Sequence, residues 1–113
     1  MKVLIALLMV SSAACAEAAI SRGYNGAEAK AVTIANIEEG DDYIIVMFSR
    51  PLEKGAECAA KHRDALLIEG SHSTLANEAR HAYSLGQAID VWATAVCTRL
   101  NDYETMSALQ TAK

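Results

Sequence analysis

The chain lacks a surplus of positive charge: ten Lys and Arg stand against fourteen Asp and Glu, for a formal net charge of −4. Nucleic acid and anionic membrane surfaces each require a basic face, so neither is an expected partner. No apolar run is long enough to cross a hydrocarbon core of about 30 Å at 1.5 Å per helical residue, so no membrane span is expected. Internal repeats, low-complexity stretches and any catalytic signature are missing as well. Cysteine is scarce, at three. The Cys58-x-x-x-His62 spacing is half of a zinc pattern, but no second pair at metal-ligand spacing accompanies it, so neither a metal nor a cofactor is expected.

What is present starts at the N-terminus. "MKVLIALLMVSSAACAEAA" sets one basic residue, Lys2, before a short apolar run and then small residues, the layout of a secretory signal peptide. With small residues at Ala14 and Ala16, cleavage is expected before Glu17, making 1–16 the signal; Ala16 and Ala18 offer a second position. A lipoprotein is the competing reading, because Ser12, Ala13 and Ala14 precede Cys15. Residues 17–30 then read as an N-terminal arm and 31–113 as a single small domain, secreted or periplasmic. Loss of Lys2 leaves the remainder more acidic still.

Of the three cysteines, Cys15 falls in the signal, and Cys58 and Cys97 stay. In an exported chain an even pair reads as a disulfide. A reactive thiol, with Cys58 beside His62 or Cys97 beside another histidine, is the alternative chemistry for the same residues.

Along the domain, residues 32–37 and 43–49 are β-rich runs joined by Glu38-Glu39-Gly40-Asp41-Asp42, which reads as a hairpin. Pro51 ends the second run. A polar loop carrying Cys58 follows, and the apolar run 65–70 reads as a third strand. One helix is expected next: Ser73 or Thr74 caps its start, Leu75, Ala79, Ala82 and Tyr83 share one face, and Gly86 stops it. Asn77, Glu78, Arg80, His81 and Ser84 occupy the polar face. From there 88–97 alternates with period two, placing Ile89, Val91, Ala93, Ala95 and Cys97 toward a core and Asp90, Trp92 and Thr94 away from it. A turn and a last strand over 103–109 complete the chain. The class is mainly β with one helix, α+β.

Trp92, Asp90 and Tyr43 are the candidate ligand or interface residues, since an aromatic beside an acid is a common sugar-stacking pair; a Trp92 that merely covers the core from outside is the plainer reading. Glu38, Glu39, Asp41 and Asp42 carry the enzymatic alternative, a small exported hydrolase, against a solvated turn or loose calcium contact. A working acid/base pair needs unlike environments, which clustered surface acids do not provide, so no catalytic residue is assigned. His62, His72 and His81 read as solvated surface side chains.

Three strands, a helix and two strands is the order of the OB-fold, a five-stranded Greek-key barrel with its helix between strands 3 and 4. The block "LANEARHAYSLGQAIDVWATAVC" resembles that of short exported bacterial proteins which include the B subunits of the subtilase-cytotoxin and typhoid-toxin type. There an "A-x-x-x-Y-x-x-G-x-x" helix end runs into an alternating strand leading to a cysteine paired with one just before the third strand. Cys58 and Cys97 fit that placement. The resemblance implies a non-enzymatic binding module with a glycan or protein partner, assembled as a homo-oligomer in the toxins. No sugar-binding residue carries over to this sequence.

Overall fold

The structure, a computed structural model, describes residues 26–112. The signal segment 1–16, Cys15 and most of the arm lie outside these residues. Among the described residues the chain forms β1 (Glu28–Val32), β2 (Ile34–Glu39), β3 (Tyr43–Phe48), a 3₁₀ turn (Glu57–Ala59), β4 (Ala65–Glu69), α1 (Thr74–Leu85), β5 (Ile89–Ala93) and β6 (Met106–Thr111). The class is mainly β with one helix. The strands lie in two antiparallel three-stranded sheets, β1-β5-β6 and β2-β3-β4, six strands where an OB-fold-like Greek-key barrel of five was expected.

The extra strand has a local cause. Ala31 adopts a left-handed φ of 52° and the β1–β5 register shifts between Ala29 and Val32, so the run bends and splits at Thr33. Val32 therefore ends β1 instead of opening the hairpin, and the arm stops where β1 begins at Glu28. Beyond the bend, β2 and β3 form the expected hairpin, with the Gly40 N–H donating to the Tyr43 carbonyl at 2.8 Å. The two sheets touch at one parallel bridge, Leu67 to Thr105, which carries the Leu67 N–H to the Glu104 carbonyl at 2.8 Å.

Strand β3 is central and apolar on both sides. Ile44, Val46 and Phe48 enter the main core with Val32, Ile34, Leu66, Ile68, Ile89 and Val91, while Ile45 joins Ala65 and Leu67 in a second cluster on the outer face of the sheet. Helix α1 closes the main core with Ala76, Ala79 and Ala82. Its Ser73 side chain accepts the Ala76 N–H at 3.1 Å, and Gly86 takes a left-handed φ of 62° that a side chain would resist. Tyr83, expected on the core face, is instead 41% exposed; three alanines already fill the contact stripe.

Strand β5 ends at Ala93, short of the expected 97. Ala95 has a φ of 72° and gives its N–H to the Glu104 carboxylate at 2.9 Å, which takes the chain out of the ladder. Cys97 thus sits half-buried in a loop and not on the core face of a strand. The last strand is likewise displaced, to Met106–Thr111, because Glu104 and Thr105 are drawn inward ahead of it. The Cys58–Cys97 disulfide is formed, with Cα atoms 6.2 Å apart across a sequence separation of 39.

Candidate functional site: a cleft between the helix and the last strand

The candidate site arises from one helical stripe. Thr74, Asn77, Glu78 and His81 recur at i, i+3, i+4 and i+7, so their side chains lie on one face of α1. Opposite them stand Gln87, Ile89, Leu109, Gln110 and Thr111, and the two walls enclose a cleft of about 360 Å³. That lies at the small end of the ~300–1,000 Å³ typical of ligand pockets. Ala82 and Ile89 are buried and Leu109 is half-buried, which makes an apolar floor; the remaining groups offer amide, hydroxyl, imidazole and carboxylate atoms at the rim. Glu78 is the one carboxylate among the lining residues, which include no Lys or Arg.

The candidates named from sequence do not meet at this cleft. Asp90 Oδ1 accepts the Ala31 N–H at 2.9 Å and Oδ2 accepts from Gln110 Nε2 at 3.4 Å, so its carboxylate pins the bend after β1. Trp92 shares its face of β5 with Asp90 and is only 4% exposed, outside both core clusters. Tyr43 belongs to the other sheet, where it packs on the second cluster under the Arg99 guanidinium, 5.6 Å from its ring centroid. His81, read as a solvated surface residue, is exposed and lines the cleft. Its signal was the stripe at helical spacing on the polar face.

Beside Tyr43, the His62 and Tyr103 rings stack with centroids 4.2 Å apart and planes 10° from parallel. Burial, reinforced by Glu38, Asp102, Asp64 and Tyr43, pushes the Tyr103 phenol above its ordinary pKa. The unfolded chain therefore ionises first, near pH 10.0, and the stability that the neutral phenol contributes is present below that pH and lost as pH rises through the folded value. Tyr103→Phe should flatten the alkaline loss of stability. Urea midpoints at about pH 9 and about pH 11 check this, and parallel declines in both proteins would count against it.

A second feature escaped sequence reasoning. Glu104, 1% exposed, accepts three backbone N–H groups: Ala27 at 2.8 Å and Ala95 at 2.9 Å on Oε2, and Ala56 at 2.8 Å on Oε1. Gly26 follows from it, since a Cβ there would meet Oε2 at 1.9 Å. The carboxylate holds the start of β1 and both cysteine-bearing loops. Both of its oxygens accept backbone donors, which gives it a structural role.

Among the described residues, no group of three or more His, Cys, Asp or Glu is placed to hold a metal ion, and no helix is long and apolar enough to cross a membrane. Searches with protein-family models, against curated proteins and against solved structures find no match to this chain.

Proposed function

We propose that the protein is an exported, non-enzymatic binding module whose ligand seat is the cleft between α1 and β6. The observation that carries this reading is the cleft itself, an apolar floor ringed by side chains able both to donate and to accept hydrogen bonds. Such a lining orients a ligand while the floor excludes water. Export is supported by the signal-like N-terminus together with the Cys58–Cys97 bridge, which belongs to an oxidising compartment. The fold reading goes with it: β1 and β2, separated by Thr33 alone, act as one bent strand, and the Leu67–Thr105 bridge stands where an OB-type barrel closes. On that count the strands number five, with α1 between the third and fourth.

The resemblance to toxin B subunits makes a glycan the first ligand class to try, and Asn77, Gln87 and Gln110 have the amides that pair with sugar hydroxyls. The test is a glycan array probed with the protein and with an Asn77→Ala/His81→Ala double variant. Both substitutions are at exposed positions and should leave the melting temperature nearly unchanged. Any binding seated in the cleft should fall at least about tenfold, ~1.4 kcal/mol. Binding that survives the double variant undiminished places the ligand elsewhere.

A further inference from the structure

Each exposed sheet edge must keep its free backbone groups from pairing at random, usually by a charge, a covering element or a bond. Three edges of this fold do so. On β1, the Glu28 backbone pairs both ways with Glu53 at 2.8 Å, and the Lys30 carbonyl accepts from Arg50. On β4, Leu67 bonds Glu104. On β2, Glu38 and Glu39 supply charge, α1 packs alongside, and Arg80 clasps Glu39 at 2.8 Å. Strand β6 differs: its start lies against β4 at the Leu67–Thr105 bridge and α1 faces its end across the cleft, but Met106–Thr111 reads MSALQT, with no charge and no proline, and it is terminal in its sheet among the described residues.

The phase of its ladder is fixed. Ala112 N–H donates to the Ala88 carbonyl at 3.0 Å, and Asp90 pairs with Gln110, so residues 110 and 112 face β5. Leu109 and Thr111 therefore turn their N–H and C=O groups outward. Both residues line the cleft. A free ladder beside a pocket is the arrangement by which proteins capture an extended peptide: the backbone supplies affinity, and a side chain in the pocket supplies selectivity.

Resting on the cleft as the ligand seat, we propose that β6 takes up an extended peptide segment of a partner protein as an added strand, with a basic side chain of that segment entering the cleft. The basic preference comes from Glu78, which has no cationic neighbour among the lining residues. The chain's net charge of −4 adds to it at longer range.

The test uses the purified protein against a random linear-peptide phage library. Enriched sequences should carry Lys or Arg at one fixed position, and Glu78→Gln should weaken that preference. Methylating alternate backbone nitrogens of the best peptide should cut binding at least about tenfold, because each removes one ladder donor. Thr111→Pro, which removes an outward N–H and leaves the bond from Ala112 to Ala88 in place, should do the same with little change in melting temperature. Peptides that bind equally well when methylated, or a library with no enrichment, overturn the inference. A glycan-array signal lost in the Asn77/His81 double variant, with no peptide binding, overturns it while leaving the cleft as the seat; absence of both removes the cleft reading as well.

Discussion

Glu104→Ala should lower the unfolding free energy by about 3–5 kcal/mol, among the largest effects of any single substitution in this fold. The carboxylate is almost wholly buried, and its removal leaves the N–H groups of Ala27, Ala56 and Ala95 without an acceptor in one step. Each such loss costs ~1–3 kcal/mol when water cannot replace the partner, and Ala56 and Ala95, being half-buried, sit at the low end. Glu104→Gln keeps one oxygen for the Oε2 site, where two donors converge, but turns an NH₂ group toward the Ala56 N–H. It should cost less than alanine and more than a surface change. Urea denaturation of the three proteins measures the order, and an alanine variant as stable as the parent would show that the carboxylate is dispensable.

Removing the Cys58–Cys97 bridge is the second large effect. A separation of 39 residues corresponds to about 4 kcal/mol by the chain-entropy argument, within the 2–5 kcal/mol range for native bridges of small secreted domains. A Cys58→Ser/Cys97→Ser variant, or the reduced protein, should lose stability on that scale. Quantifying thiols in denatured, non-reduced protein checks the starting state: neither Cys58 nor Cys97 should react.

The two effects are coupled. Ala56 and Ala95, which bond Glu104, each precede a bridged cysteine by two residues, so carboxylate and disulfide hold the same pair of loops. Combining Glu104→Ala with loss of the bridge should therefore cost something other than the sum of the single changes, because the second change acts on loops already released by the first.

Much of this fold was legible in the sequence where local chemistry decides. The β2–β3 hairpin followed from two β-rich runs around Gly40, β4 from a bounded apolar run, and α1 from Ser73 at one end and Gly86 at the other. The disulfide followed from Cys58 and Cys97 forming an even pair once the N-terminal segment, with Cys15, is read as an export signal. Errors arose where a distant partner overrides local pattern. Alternation over 88–97 was real, but the Glu104 carboxylate captures Ala95 and ends β5 at Ala93, and no window around Ala95 contains that glutamate's role. The bend at Ala31 has the same character, since Asp90 reaches it across the sheet. Tyr83 misled because a large apolar ring outweighs three alanines in a helical-face count, whereas close packing of α1 favours the small residues.

The candidate site was half legible. The helical spacing of Asn77, Glu78 and His81 was visible as a polar face, and polar faces ordinarily meet water. Its opposite wall, Leu109 to Thr111, lies in a strand whose position depends on Glu104, so the cleft emerges only when the fold is assembled. Trp92, Asp90 and Tyr43 drew attention through residue type; Asp90 is bonded to Ala31 and Gln110, and Tyr43 stacks under Arg99.

The central claim, that recognition takes place in the cleft beside β6, is tested most directly by a chemical-shift map of the isotope-labelled protein titrated with the tightest binder from the glycan array or the peptide library. The account predicts that the largest changes fall on Asn77, Glu78, His81 and Gln87 and on Leu109 through Thr111. Changes concentrated on Tyr43, His62, Arg99 and Tyr103, with the cleft silent, would contradict it.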